Sequence, residues 1–149
     1  MAEALMIAGK GVEVAGTILG ARSEAKALKS EARQLDAKAG LERASSQREA
    51  LEERRQGRLA QSRTLALAAA SGGGASDPTV VNLMADLAGE GEYRALTALY
   101  NGEEEARGLE AQATARRKEA KAVKTAGYLK AAGTILNAGS SMADRYGGK

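Results

Sequence analysis

Three stretches of this chain hold residue types that do chemistry in other proteins, and each lacks what that chemistry needs. Glu103-Glu104-Glu105 has carboxylates for metal binding or acid–base work. Consecutive helix positions point in different directions, so the three cannot converge on one ion from a single helix, and the run reads as a solvated face. Ser71-Gly72-Gly73-Gly74 has the glycines of a phosphate loop, but no Gly-Lys-Ser/Thr follows and no strand precedes it, so it reads as a turn. Gly9-Lys10-Gly11 lacks the context of a dinucleotide fingerprint in the same way. The chain has no His and no Cys, which removes the commonest general base, thiolate nucleophiles and the usual zinc ligands. We therefore expect no catalysis, no metal and no cofactor.

The remaining chemistry is that of cations and apolar surface. Net charge is only +3, but its distribution is uneven. Residues 22–38 hold Arg22, Lys26, Lys29, Arg33 and Lys38 against three acids, and residues 116–124 hold Arg116, Arg117, Lys118, Lys121 and Lys124 against Glu119 alone. Residues 86–110 hold seven acids against Arg94 and Arg107. Within the basic bands, Lys26, Lys29, Arg33, Arg117, Lys121 and Lys124 are the candidates to touch phospholipid head groups or DNA phosphates. The bands contain no aromatic side chains for base stacking. A plain solvated face is the competing reading, because interspersed charge is normal on exposed helices.

Beside the basic bands lies a repeated phrase. Ala15-Gly16-Thr17-Ile18-Leu19-Gly20-Ala21 returns as Ala132-Gly133-Thr134-Ile135-Leu136-Asn137-Ala138. The two copies are nearly equidistant from the one clear breaker, at residues 71–78, so folding back there brings them side by side. Leu5, Met6, Ile7, Val12, Val14, Ile18 and Leu19, with Leu129, Ile135 and Leu136, would then form an apolar tip for membrane contact or ring packing. Gly16, Gly20 and Gly133 would permit close helix packing, since small-xxx-small spacing lets backbones approach. Lys10, Glu13 and Lys130 are costly against lipid and would face a water-filled lumen in a ring of copies. They also interrupt both apolar ends, so neither is the ~20 apolar residues of a lone spanning helix. The start carries Glu3 and no early basic residue, unlike a signal peptide, and synthesis as a soluble protein is expected.

The elements that position these residues must be helices. Residues 2–70 contain no proline and are rich in Ala, Leu, Glu, Lys, Arg and Gln, which predicts one helix of roughly 100 Å. Leu5, Val12 and Leu19 repeat every seven residues, as do Leu28 and Leu35, with a slip between the sets; this is a weak coiled-coil signal. Asp77 is the expected N-cap of the second arm, with Pro78 at its first position. Val80, Val81, Leu83, Met84 and Leu87 are expected to pack with Leu65, Leu67, Leu96 and Leu99 as a knob at the turn. Gly89-Glu90-Gly91 predicts a kink or break near 88–92, and Asn101-Gly102 is a second candidate break, opposed by the Glu103–Arg107 pair. Few large apolar residues occupy the middle of either arm, so association with other copies is expected to add stability. The fold class is all-α: a long antiparallel two-helix hairpin with a short helix and kink near the turn, forming an oligomeric ring. Its divisions are an arm at 1–70, a turn at 71–78 and a second arm at 79–149.

The second half resembles the internal virion, or ejection, proteins of short-tailed bacteriophages. The resemblance is carried by Gly91-Glu92-Tyr93-Arg94-Ala95-Leu96-Thr97-Ala98-Leu99-Tyr100-Asn101, by Ala106-Arg107-Gly108-Leu109-Glu110-Ala111-Gln112-Ala113, and by Lys124-Thr125-Ala126-Gly127-Tyr128 through Ala132-Gly133-Thr134-Ile135-Leu136. The first half is similar in layout only, and the chain is shorter than the best-known members. The resemblance implies a protein held in the virion interior and expelled into the host envelope, there building a channel segment for DNA, with the outer membrane as its expected site. Implied partners are other copies of the chain, other ejection, portal or tail proteins, membrane lipids and, transiently, phage DNA. Two rival readings are a helical spacer lining the portal or tail without entering a membrane, and a DNA-packing protein.

Overall fold

In a computed structural model, the backbone is described for residues 2–74 and 76–146, and side chains for 11–74, 76–137 and Ser140. Leu5, Met6, Ile7 and Lys10 lie outside the described side chains. Two α-helices account for the described chain: α1, Ala2–Ala70, and α2, Pro78–Tyr146. They divide into a terminal unit, Met1–Leu35 with Ala111–Lys149, and a turn unit, Asp36–Glu110.

The turn unit is a helical hairpin, and its sharp reversal follows from capping at both helix ends. At the C-terminus of α1, Gly72 takes φ +79°, a conformation that favours glycine. This lets Gly72 N–H donate to Ala69 O (3.3 Å) and Gly73 N–H to Ala68 O (2.9 Å), the Schellman pattern that satisfies late helix carbonyls. The glycine run is thus a helix stop. At the start of α2, the Asp77 carboxylate accepts the Thr79 N–H at 2.8 Å, and Asp77 O accepts the Val81 N–H at 2.9 Å. Asp77 is the N-cap and Pro78 the first helical residue, as the sequence reading expects.

The expected break near 88–92 is absent. Helix α2 runs through both Gly89-Glu90-Gly91 and Asn101-Gly102. Two of these glycines serve tertiary packing instead. A Cβ on Gly91 would stand 3.2 Å from the Gly57 Cα, and one on Gly102 would collide with the Ser46 side chain. Removing the side chain lets the helices approach, and the closer packing offsets the ~1 kcal/mol propensity cost of glycine.

The knob is also absent. Leu65, Leu67, Val81, Leu83 and Leu96 are exposed, while Val80, Met84, Leu87 and Leu99 are half-buried. The turn unit closes instead along Ala39, Ser46, Ala50, Ala95, Ala98 and Ala106, all buried. The terminal unit closes along Ala25, Ala32, Ala113, Ala120 and Ala131, with Leu28 and the half-buried Val123. Gly127 faces Ala21 there so closely that a Cβ would clash. Seven-residue spacing does organise the seams, mainly through alanine (25, 32, 39), with Leu28 of the expected leucine repeat buried among them. Val12 and Leu19, members of the expected leucine repeat, are 74% and 63% exposed. Small side chains minimise the separation of the backbones, and they leave little room for large ones beyond Leu28.

Candidate functional site: a basic and apolar side of the terminal unit

Charge in the turn unit is used to hold it together. Arg43 reaches across to Glu103 (2.7 Å) and Glu110 (2.6 Å), and Arg54 grips Glu92 through two N–H groups (2.8 and 2.7 Å). These guanidinium hydrogen bonds hold the Glu92, Glu103 and Glu110 carboxyls below the usual carboxylate range. The acidic run is therefore only partly a solvated face. Glu103 is half-buried against the other helix, while Glu104 pairs with Arg107 within its own. The Glu103–Arg107 pair at 3.2 Å is present, in keeping with an unbroken helix at Asn101-Gly102. A concavity beside Gly57 and Gly91 is lined by Glu53, Gln56, Arg63, Leu87, Glu90 and Arg94, but Arg94 is already paired with Glu90. Among the described residues, no group of three His, Cys, Asp or Glu side chains could hold a metal ion.

In the terminal unit charge is sorted between two sides. Arg116 takes both Glu31 (3.3 Å) and Glu119 (2.9 Å). Across the seam from those acids, Arg22 donates from Nη2 to the Tyr128 hydroxyl at 3.1 Å. The Arg22 guanidinium carbon and Lys124 Nζ lie 5.9 and 6.0 Å from the Tyr128 ring centre. The Arg22 hydrogen bond, followed by the charges of Arg22 and Lys124, pulls the Tyr128 phenol below its ordinary value against the opposing effect of burial.

That three-residue contact fixes which helical stripes share a side. On α1, residues at helical spacing through Arg22 are Gly11, Ala15 and Ile18 in one direction and Lys26, Lys29 and Arg33 in the other. On α2 the stripe through Tyr128 runs to Ala132 and Ile135 in one direction and to Lys124, Lys121 and Arg117 in the other. Each stripe changes from apolar to basic at the Arg22–Tyr128 contact. All six cations proposed from sequence for head groups or phosphates therefore lie on this side. Among the described residues, Arg22, Lys26, Lys29, Arg33, Lys121 and Lys124 have no carboxylate partner. Arg22 and Tyr128, which join the two stripes, do not stand out as site residues in the sequence. The separation of 106 positions hides their contact, and the only local signal is an aromatic residue four positions after Lys124.

The apolar residues are largely available. Leu19, Leu129, Ile135 and Leu136 are 63, 69, 58 and 74% exposed, whereas Val14 and Ile18 are half-buried. Glu13 and Lys130 are exposed. The expected role of Gly16, Gly20 and Gly133 in close packing is not met within the chain, because a Cβ at each would have nothing within 4 Å. The glycines that permit close approach are Gly57, Gly91, Gly102 and Gly127. The twin phrases do lie on facing helices, but out of step. Gly127 faces Ala21 and the Thr17 carbonyl, so antiparallel progression sets Thr17 near Ala131 and not beside Thr134. Both threonines make the same local bond, from Thr17 to Glu13 O (2.9 Å) and from Thr134 to Lys130 O (3.1 Å). Among the described residues, no helix is apolar enough over a sufficient length to cross a membrane. Comparison with protein-family models, curated proteins and solved structures gives no match.

Proposed function

We propose that this chain is a non-enzymatic docking and assembly protein that binds an anionic membrane surface through the terminal unit. In this reading it is an ejection protein of the bacteriophage kind, held in the virion interior, delivered to the host envelope and assembled there with its own copies into a channel segment. The observation that carries the membrane part is that one unit holds exposed Leu19, Leu129, Ile135 and Leu136 beside a side of cations that have no carboxylate partner among the described residues. Apolar residues enter the acyl boundary while Lys and Arg meet head groups, each cation contributing about 1 kcal/mol near the surface. The sequence resemblance supports the virion setting. Because no helix among the described residues is apolar enough to span, a channel requires several copies, with Lys10, Glu13 and Lys130 directed to water. Gly16, Gly20 and Gly133, open in the single chain, are then positions where neighbouring copies approach.

Vesicle co-sedimentation and dye release test the reading. Vesicles containing phosphatidylglycerol should capture the protein and leak, and neutral phosphatidylcholine vesicles should do so weakly. Leu19→Asp and Ile135→Asp should suppress leakage without lowering helicity, because both side chains are exposed. Absence of association with anionic vesicles would remove the membrane reading and favour a helical spacer of the portal or tail.

A further inference from the structure

We propose that Arg22, Lys124 and Tyr128 form a receptor for a terminal phosphate group, a phosphomonoester presented by an anionic lipid. The inference rests on the membrane-surface reading for the source of the phosphate, though not for the phosphate chemistry itself. The cluster consists of donors. Arg22 uses Nη2 on the phenol oxygen and retains other N–H groups, Lys124 carries three N–H donors, and neither has a carboxylate partner among the described residues. The Tyr128 O–H has no acceptor among them either. Both cations lie about 6 Å from the centre of one ring, while Glu31 and Glu119 of the same unit pair with Arg116.

The charge count selects the anion. A phosphomonoester has a charge of about −1.5 to −2 and three acceptor oxygens, which matches two cations and a hydroxyl donor. A phosphodiester offers one negative charge and two terminal oxygens. The surroundings select lipid over nucleic acid as its carrier. Leu19 lies one turn from Arg22, Ile135 lies two turns from Tyr128 on the same stripe, and both are exposed, giving acyl chains an apolar surface that a polyanionic duplex has no use for.

The test compares vesicles containing phosphatidic acid, a monoester, with vesicles containing phosphatidylglycerol, a diester, at matched surface potential. The full chain should bind the phosphatidic acid vesicles about tenfold more tightly, the value of one additional charge-assisted hydrogen bond. Arg22→Gln and Lys124→Gln should each weaken binding to both lipids through the lost charge, but phosphatidic acid binding more, so that the affinity ratio of the two lipids falls to about one. Tyr128→Phe keeps the ring and loses the O–H, so it should reduce the preference in part. In a vesicle-free arm, inorganic phosphate should shift the backbone resonances around Tyr128 in the parent protein but not in Arg22→Gln. Those shifts without vesicle binding would sustain the phosphate receptor and sink the membrane reading. Equal affinity for the two lipids together with no phosphate-induced shift would overturn the receptor. Stronger competition by a short DNA duplex than by phosphatidic acid vesicles would overturn the lipid as carrier.

Discussion

Gly102 and Gly16 show how one residue type takes opposite roles on the same kind of helix. At Gly102 an added methyl group would meet Ser46, whose hydroxyl donates to Arg43 O at 3.0 Å and whose carbon skeleton sits in the seam. At Gly16 the same methyl would enter open space. Gly102→Ala should therefore destabilise the turn unit by roughly 1–3 kcal/mol through overpacking, despite the improvement in helix propensity. Gly16→Ala should stabilise the isolated chain by about 1 kcal/mol, because only the propensity changes. Thermal or urea unfolding followed by circular dichroism checks both. If Gly16 also packs between copies, Gly16→Ala should weaken vesicle leakage while raising the unfolding midpoint.

Elements this long are specified by helix propensity along most of their length and by caps at their ends. Propensity predicts the single helix before residues 71–78, but the glycines near 88–92 predict a break after them that the structure does not have, since one helix runs on each side of the turn. The glycine run and Asp77 convert that propensity into a reversal, since Gly72 permits the positive φ and Asp77 supplies an acceptor to Thr79. Asp77→Ala should cost about 1 kcal/mol through the lost cap. Gly72→Ala should cost a similar amount, from the strain of placing Cβ in the left-handed region. Hydrogen exchange should show faster exchange at Thr79 and Val81 in Asp77→Ala. Unchanged protection there would mean the cap is dispensable.

For the molecule as a whole, acid should loosen what small side chains and ion pairs hold together. The folded-state pKa values of Glu92, Glu103 and Glu110 are depressed, so their contribution is fully present above the unfolded glutamate value of about 4.3. It is lost as pH falls through the lower, folded values. The thermal midpoint should therefore be lower at pH 3 than at pH 7, and Arg43→Gln should narrow that difference by removing the partner of Glu103 and Glu110. An Arg43→Gln variant with the full pH dependence would show that other carboxylates govern it. The sequence by itself determined the all-helical class, the turn and the Asp77 cap, because propensity and capping chemistry act over a few neighbouring residues. Only the tertiary structure decided that alanine supplies most of the seams, with Leu28 the one buried leucine among the described residues, and that Gly57, Gly91, Gly102 and Gly127 allow close approach. It also placed Arg22 on Tyr128 and offset the twin phrases. These outcomes depend on the facing register, which is set by how closely two backbones approach and by which side chains then clash. No local pattern records that distance.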